Sequence, residues 1–466
     1  MAAAFPDLPS LRRLADENPL TALLRLRQRF AEPEELVRHG GRISEVASAG
    51  YRVRGMSAQS RLGDIVEHRR RGVVRRGEIV RITDQEVAVV PFKPSPDAGI
   101  GDAVLNCGPL VLAPSDDWRG RSIDALGEPI DGRPAPASGS VHPDSVPVTP
   151  PALSRERVGT GFVTGVRVID IFTPICFGQR LGIFAGSGVG KSTLLAMLAA
   201  ASAFDTVVVG LIGERGREVR EFLEDTLGGS MAKTVAVVAT SDESPMMRKR
   251  APETAMRVAE HFRDQGHRVL VILDSITRYA HALREVATAA GEAPVARGYP
   301  ASVFTEMPKL LERAGPGAVG AGSITAIISV LVDGDDHNDP VADSVRGILD
   351  GHIVLDRSIA EQGRYPPVNP LASISRLAPK AWTDDQRILV GRLKAMIARF
   401  EDTRDIRLIG GYQPGVDIEL DNAVRQVPAL YEALMQTPRD APSVDPFGDL
   451  ARFLKNKERP VVPAAA

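Results

Sequence analysis

The run Phe184-Ala185-Gly186-Ser187-Gly188-Val189-Gly190-Lys191-Ser192-Thr193 is the segment of this chain best suited to chemistry. It follows a predicted strand and opens a predicted helix, Leu194 to Ala201. Glycines in such a loop let the backbone wrap phosphates closely, with successive N–H groups and the helix N-terminus turned toward negative charge. The loop positions Gly186, Ser187, Gly188, Val189, Gly190 and Thr193 are therefore nucleotide-contact candidates. Lys191 supplies a cation for the β- and γ-phosphates, and the Ser192 hydroxyl is a ligand for Mg²⁺. The strict motif begins with glycine where this chain has Ala185. The cradle needs its glycines nearer the phosphates, at Gly188 and Gly190, so the departure is small. A hydride-transfer dinucleotide site needs glycine where Lys191 stands, and that reading fails.

Binding phosphate is not hydrolysing it; acids must also be placed. Asp274 closes the apolar run Val269 to Leu273, which puts a carboxylate at the C-terminal tip of a buried strand, where it can hold the metal shell. The plain alternative is a helix N-cap. Glu214 and Glu218 both follow the strand Thr206 to Ile212 in Gly213-Glu214-Arg215-Gly216-Arg217-Glu218. A carboxylate at that tip can orient and polarise an attacking water, and spacing alone does not choose between the two.

The elements that must carry these residues follow from pattern. Arg180 to Phe184, Thr206 to Ile212, Thr234 to Val238, Val269 to Leu273 and Ile324 to Val330 are continuous β-rich apolar runs separated by helical patterns. Strands apolar on both faces imply a parallel sheet covered on both sides, an α/β domain. Before it, Arg42 to Val46, Tyr51 to Arg54, Glu78 to Ile82 and Glu86 to Val90 alternate with period two, the last two joined by a hairpin signal at Thr83-Asp84-Gln85. Short strands so spaced predict a small closed β-barrel. The arginines Arg69, Arg70, Arg71, Arg75 and Arg76 in this stretch read as a solvated rim or as an anion or subunit contact. Leu8 to Phe30 reads as helical on either side of Pro19, with a leucine face and an arginine rim suited to a partner, to anionic lipid or to its own domain. Asp131 to Pro151 reads as a long loop, and after about Pro379 the pattern is helical, opening on a capping box at Thr383 and Gln386. A helix through Pro428 and a short one near Leu450 to Lys455 follow. The boundaries so drawn are an N-terminal segment 1–30, a barrel 31–102, an α/β domain with the phosphate loop at 103–379 and a helical domain 380–466.

Composition narrows the function. With 466 residues, 43% hydrophobic and 25% charged, the chain is globular and long enough for about three domains. Lys+Arg 57 against Asp+Glu 59 lacks the cation surplus that coating nucleic acid requires. Cys107 and Cys176 cannot build a disulfide framework, which fits a reducing compartment. The first thirty residues lack the basic-then-apolar order of a signal peptide, and Ile324 to Val332 is about half a membrane span. The expectation is a cytoplasmic protein whose membrane contact is peripheral.

Several motifs in order carry a family resemblance. Gly213-Glu214-Arg215-Gly216-Arg217-Glu218-Val219 and Leu273-Asp274-Ser275-Ile276-Thr277-Arg278-Tyr279-Ala280 resemble segments of rotary ATPase catalytic subunits and their type III export relatives. Thr164 to Asp170 and Gly298-Tyr299-Pro300-Ala301-Ser302 agree, and the resemblance spans about residues 30 to 440. Asp333 to Pro340 and Ile348 to Arg357 are similar to the export branch. The chain after Ile409, Gly410-Gly411-Tyr412-Gln413-Pro414, lacks the acidic helix–loop of synthase β-subunits, which favours export over ATP synthesis.

The resemblance implies a central RecA-like P-loop domain between an N-terminal β-barrel and a C-terminal helical domain. It implies Mg²⁺-dependent ATP hydrolysis energising flagellar type III export, with Glu214 as catalytic carboxylate and Arg215 near the reacting phosphate. Tyr365 would stack on adenine, and Arg376 would be an arginine finger reaching the next subunit's γ-phosphate. A finger acting across subunits requires an oligomer, here a homohexameric ring. The implied partners are a stalk protein, a regulator at the N-terminal segment, export substrates with chaperones, and the gate of an inner-membrane export apparatus; no nucleic acid is expected. The rival readings are a virulence-type injectisome ATPase, an RNA or DNA translocase, and a non-catalytic nucleotide-binding ring subunit.

Overall fold

The computed structural model describes residues 39–94, 97–139, 150–151, 153–332 and 339–458. The N-terminal segment 1–30 and most of the motif Asp333 to Pro340 lie outside them. The chain divides into two compact units, Met1–Leu110 and Val111–Ala466.

The first unit is a closed six-stranded barrel of β1 (Gly40–Ala47), β2 (Gly50–Arg54), β3 (Asp64–Arg70), β4 (Val73–Ile82), β5 (Glu86–Pro91) and β6 (Ala103–Pro109), in the order β1-β2-β5-β4-β3-β6. Period-two alternation sends Ile43, Val53, Val66, Ile79, Val87, Val89 and Val104 inward, where they form one core. The Thr83 turn joins β4 and β5, and the Thr83 hydroxyl both donates to the Glu86 carbonyl (2.9 Å) and accepts from its N–H (3.2 Å). Because β6 closes the barrel against β1 and β3, the barrel runs to Pro109 and not to residue 102. Asn106-Cys107-Gly108 breaks the apolar alternation that would have marked it. Part of the arginine cluster is neutralised within the barrel: Arg70 pairs with Asp102 (3.8 Å), Arg75 with Asp97 (2.8 Å) and Arg76 with Glu67 (3.1 Å).

The second unit is built on β7 (Arg121–Asp124), β8 (Gly161–Phe162), β9 (Ile175–Cys176), β10 (Arg180–Ala185), β11 (Thr206–Ile212), β12 (Thr234–Ala239), β13 (Arg268–Asp274), β14 (Pro294–Ala296), β15 (Tyr299–Pro300), β16 (Gly315–Pro316), β17 (Ser323–Leu331), β18 (Gly351–Leu355) and β19 (Ile374–Ser375). Nine of these form one sheet in the order β19-β18-β10-β17-β13-β11-β12-β7, with β16 added beside β17. From β18 to β7 every pairing along this order is parallel, and β19 turns antiparallel on β18. All seven residues of β11 are buried. Val207, Val209 and Leu211 join the core beneath the helix Lys191–Ala199, while Gly210 faces Ala255 of the helix Pro245–Asp264. The sheet is thus covered on both sides, as its unbroken apolar runs require.

Beyond the sheet, Thr383 and Gln386 make the capping box of the helix Asp384–Asp402. The helix Ile418–Leu434 runs through Pro428, and the last described helix is Pro446–Glu458. Val390, Leu393, Ile397, Val427 and Leu430 of these helices belong to the same apolar cluster as Val166, Ile169 and Leu194. The boundary at residue 380 therefore separates secondary-structure types, not cores.

Candidate active site

The loop after β10 performs a sharp reversal. Gly188 (φ +76°) and Gly190 (φ +98°) occupy left-handed conformations that a side chain resists, and Gly190 caps the helix that begins at Lys191. The helix therefore starts three residues earlier than its apolar pattern suggested. Its first N–H groups have no partners inside the helix, and this end opens on a cavity of about 540 Å³. The cavity is lined by Gly186, Ser187, Gly188, Gly190, Lys191, Ser192 and Thr193, and faced by Glu214, Arg215, Glu218 and Arg278. Val189 differs: its side chain is buried in the domain core, so only its backbone is available to a ligand.

Neighbouring strand tips bring the charged groups together. Lys191 forms an ion pair with Asp274, and its Nζ lies 3.5 Å from Glu214 Oε1. Asp274 also accepts a hydrogen bond from the Ser329 hydroxyl at 2.6 Å, and both donors reach Oδ1. These carboxylates end or follow β13 and β11, which pair side by side, so consecutive position in the sheet, not in sequence, makes them neighbours. Burial pushes the Glu214 pKa above the ordinary glutamate value; Lys191 opposes that and Asp274 adds to it. The structure brings Glu214 to Lys191, whereas Glu218 sits 3.4 Å from the guanidinium of Arg215. Arg215 itself is largely exposed at the cavity rim.

Two arginines join the loop or its cavity without having been assigned a role from sequence. Arg278, in the first turn of the helix Ile276–Ala289, lines the cavity, and its Nε is buried with no hydrogen-bond partner among the described residues. The close approach of Gly213 (φ +69°) permits this, since a Cβ there would lie 3.2 Å from that of Arg278. Arg357 donates from Nη2 to the Ser187 carbonyl at 3.2 Å. Both lie in motifs quoted above, and the signal was a cation within one helical turn of a strand tip.

Tyr365 and Arg376 part company. Tyr365 is 46% exposed, and its ring borders the loop: a Cβ on Gly190 would sit 3.7 Å from Cε1. Arg376 follows β19, whose Ser375 opposes Gly351, the first residue of β18; the last, Leu355, opposes Ala185 just before the loop. Four residues of strand, roughly 13 Å, thus separate Arg376 from its own loop along the sheet. Its side chain is exposed.

Comparison with known proteins supplies the family. Residues 165–375 match the nucleotide-binding domain of the ATP synthase alpha/beta family, and residues 382–447 match the T3SS EscN ATPase C-terminal domain. The flagellum-specific ATP synthase of Rhizobium meliloti (strain 1021) is 61% identical over 97% of both chains. A type 3 secretion system ATPase from Xanthomonas euvesicatoria is 41% identical over 86% of this chain and 90% of the relative. The assembled ATPase EscN of the enteropathogenic E. coli type III secretion system, solved alone and with its central stalk EscO, superposes with a TM-score of 0.81 and 37% identity. It covers 89% of this chain and is itself covered in full. The chain belongs to the ATP synthase alpha/beta family, as an ATPase of its flagellum-specific, type III export branch.

Proposed function

We propose that the chain hydrolyses ATP at sites shared between subunits of a homohexameric ring and so energises flagellar protein export. The observation that carries this reading is the separation just described: Lys191, Glu214 and Asp274 converge beside the phosphate loop, while Arg376 stands at the far end of the same sheet. The loop amides and Lys191 bind the phosphates, Glu214 orients and polarises the attacking water, and Tyr365 stacks on the base. Arg215 and Arg278 supply positive charge around the reacting phosphate. Arg376 stabilises transition-state charge in the neighbouring subunit's site, a contribution of about 10³–10⁵ in rate for an arginine finger.

The residues fit Mg²⁺. Ser192 lines the cavity, and Asp274 offers Oδ2, to which no donor reaches among the described residues; these are the hard oxygen ligands Mg²⁺ takes. The ion would neutralise phosphate charge there. The assembled state of EscN and its complex with EscO support a ring around a stalk. Exposed Ile406, Leu408, Ile409, Val416 and Ile418 support a stalk contact on the C-terminal helices. The proposal extends to a regulator at residues 1–30, to substrate–chaperone complexes and to peripheral docking at the inner-membrane export gate. Among the described residues no helix is long and apolar enough to cross a membrane.

The test is ATPase rate per chain against chain concentration, with particle size measured in parallel. Rate and size should rise together. A strictly monomeric species with a concentration-independent rate would remove the shared site.

A further inference from the structure

The segment just before β10 is unusually well bonded for a connection between strands. Cys176-Phe177-Gly178-Gln179 is a tight turn, closed by the Gln179 N–H on the Cys176 carbonyl at 3.1 Å, with Gly178 at φ +80°. Two bonds seat it on β17: Gly178 N–H donates to the Thr325 hydroxyl (2.9 Å), and the Gln179 carbonyl accepts from Ala326 N–H (2.9 Å).

The Gln179 side chain is fully buried, and its partners fix which end is which. Oε1 accepts from the Cys176 N–H at 2.9 Å, a group that can only donate. Nε2 donates to the Asp350 carbonyl at 3.3 Å, which can only accept, and to the Ser375 hydroxyl at 3.0 Å. The Asp350 carbonyl also accepts the backbone N–H of Arg376 at 2.9 Å. On the other side of Arg376, the Cys176 thiol lies 3.7 Å from the Leu377 carbonyl. A single turn thus grips the residues before and after Arg376, on a strand only two residues long that has little hold of its own.

We propose that Gln179 is a positioning residue for Arg376, holding β19 so that the guanidinium projects toward the neighbouring subunit's phosphate. This rests on the reading of Arg376 as a finger acting across the interface. The reason is entropic as much as geometric: an exposed arginine on a loose edge samples many positions, and only a fixed backbone places its charge where the transition state needs it. Gln179 also begins the run into the strand that ends at the phosphate loop, so one strand carries a subunit's own phosphate site at one end and steadies its contribution to the next site at the other.

The test uses the full chain with Gln179→Leu, Ser375→Ala, Arg376→Ala and the two double variants that include Arg376→Ala. Ser375 is partly exposed, so Ser375→Ala decides the matter where Gln179→Leu fails to fold. Either single variant should lower kcat about tenfold, with KM, fluorescent-ATP affinity and ring size within about twofold of the parent. Neither should lower kcat further once Arg376 is alanine, because residues acting through one group are not additive. Parental kcat in both single variants, a tenfold loss that persists on top of Arg376→Ala, or lost nucleotide affinity would each overturn the assignment. Parental turnover in Arg376→Ala would instead sink the finger reading, and this proposal with it.

Discussion

Lys191 is shared between two carboxylates, ion-paired with Asp274 and 3.5 Å from Glu214. On the proposed reading a bound γ-phosphate would compete for that lysine, leaving Asp274 to the metal and Glu214 to the water. Glu214→Gln keeps the shape and removes the charge. Turnover should fall by about 10²–10⁴ while nucleotide affinity stays near the parent, since the variant loses general-base work and not phosphate contacts. Undiminished hydrolysis in a steady-state assay would rule Glu214 out. The sign of the pH dependence follows from burial: the pKa of Glu214 is raised, and the proposed role in polarising water requires the anion. In the free enzyme kcat/KM should therefore decline, as pH falls, at a higher pH than an ordinary glutamate would give. In the Gln variant that limb should vanish from the residual rate.

At the scale of elements, the helices that follow the sheet are held by their caps as well as by their apolar faces. The Thr383 hydroxyl accepts from Gln386 N–H at 3.3 Å, and Gln386 Oε1 accepts in turn from Thr383 N–H at 2.9 Å. Thr383→Ala should cost about 1 kcal/mol of stability, read as a lower urea midpoint with an unchanged slope. The same change should leave ATP affinity alone, because the cap touches no residue of the phosphate loop. This box was legible in the sequence, since four consecutive positions specify it. Likewise the five central strands could be read directly, because β-branched residues buried on both faces leave few alternatives. β3, β6, β7 and β18 could not. Asp64–Arg70 carries charge at most of its outward positions, Arg121–Asp124 is a four-residue edge, and Gly351–Leu355 has only three apolar residues. Each becomes a strand because a neighbour supplies hydrogen bonds, which local pattern does not reveal.

In the whole molecule, the distance between Arg376 and its own loop predicts complementation between defective chains. Lys191→Ala and Arg376→Ala should each be nearly inactive alone. Mixed equally and allowed to reassemble, about one interface in four joins an intact loop to an intact arginine in a head-to-tail ring. Activity should rise accordingly above the average of the two. A mixture no better than that average would place Arg376 within its own site, or outside any site.

The sequence by itself determined the phosphate loop, the lysine, the serine and the strand-tip aspartate, because a strand, a glycine turn and a helix are contiguous and fix those groups locally. Motif resemblance added the family and a role for Glu214 and Arg376. Only the tertiary structure put Glu214 rather than Glu218 beside Lys191, brought Arg278 to the cavity and Arg357 to the loop, and bound the turn at Gln179 to the strand before Arg376. Those contacts depend on which parallel strands lie side by side. That order, β18-β10-β17-β13-β11, is not the order of the chain, so no reading along the chain contains it.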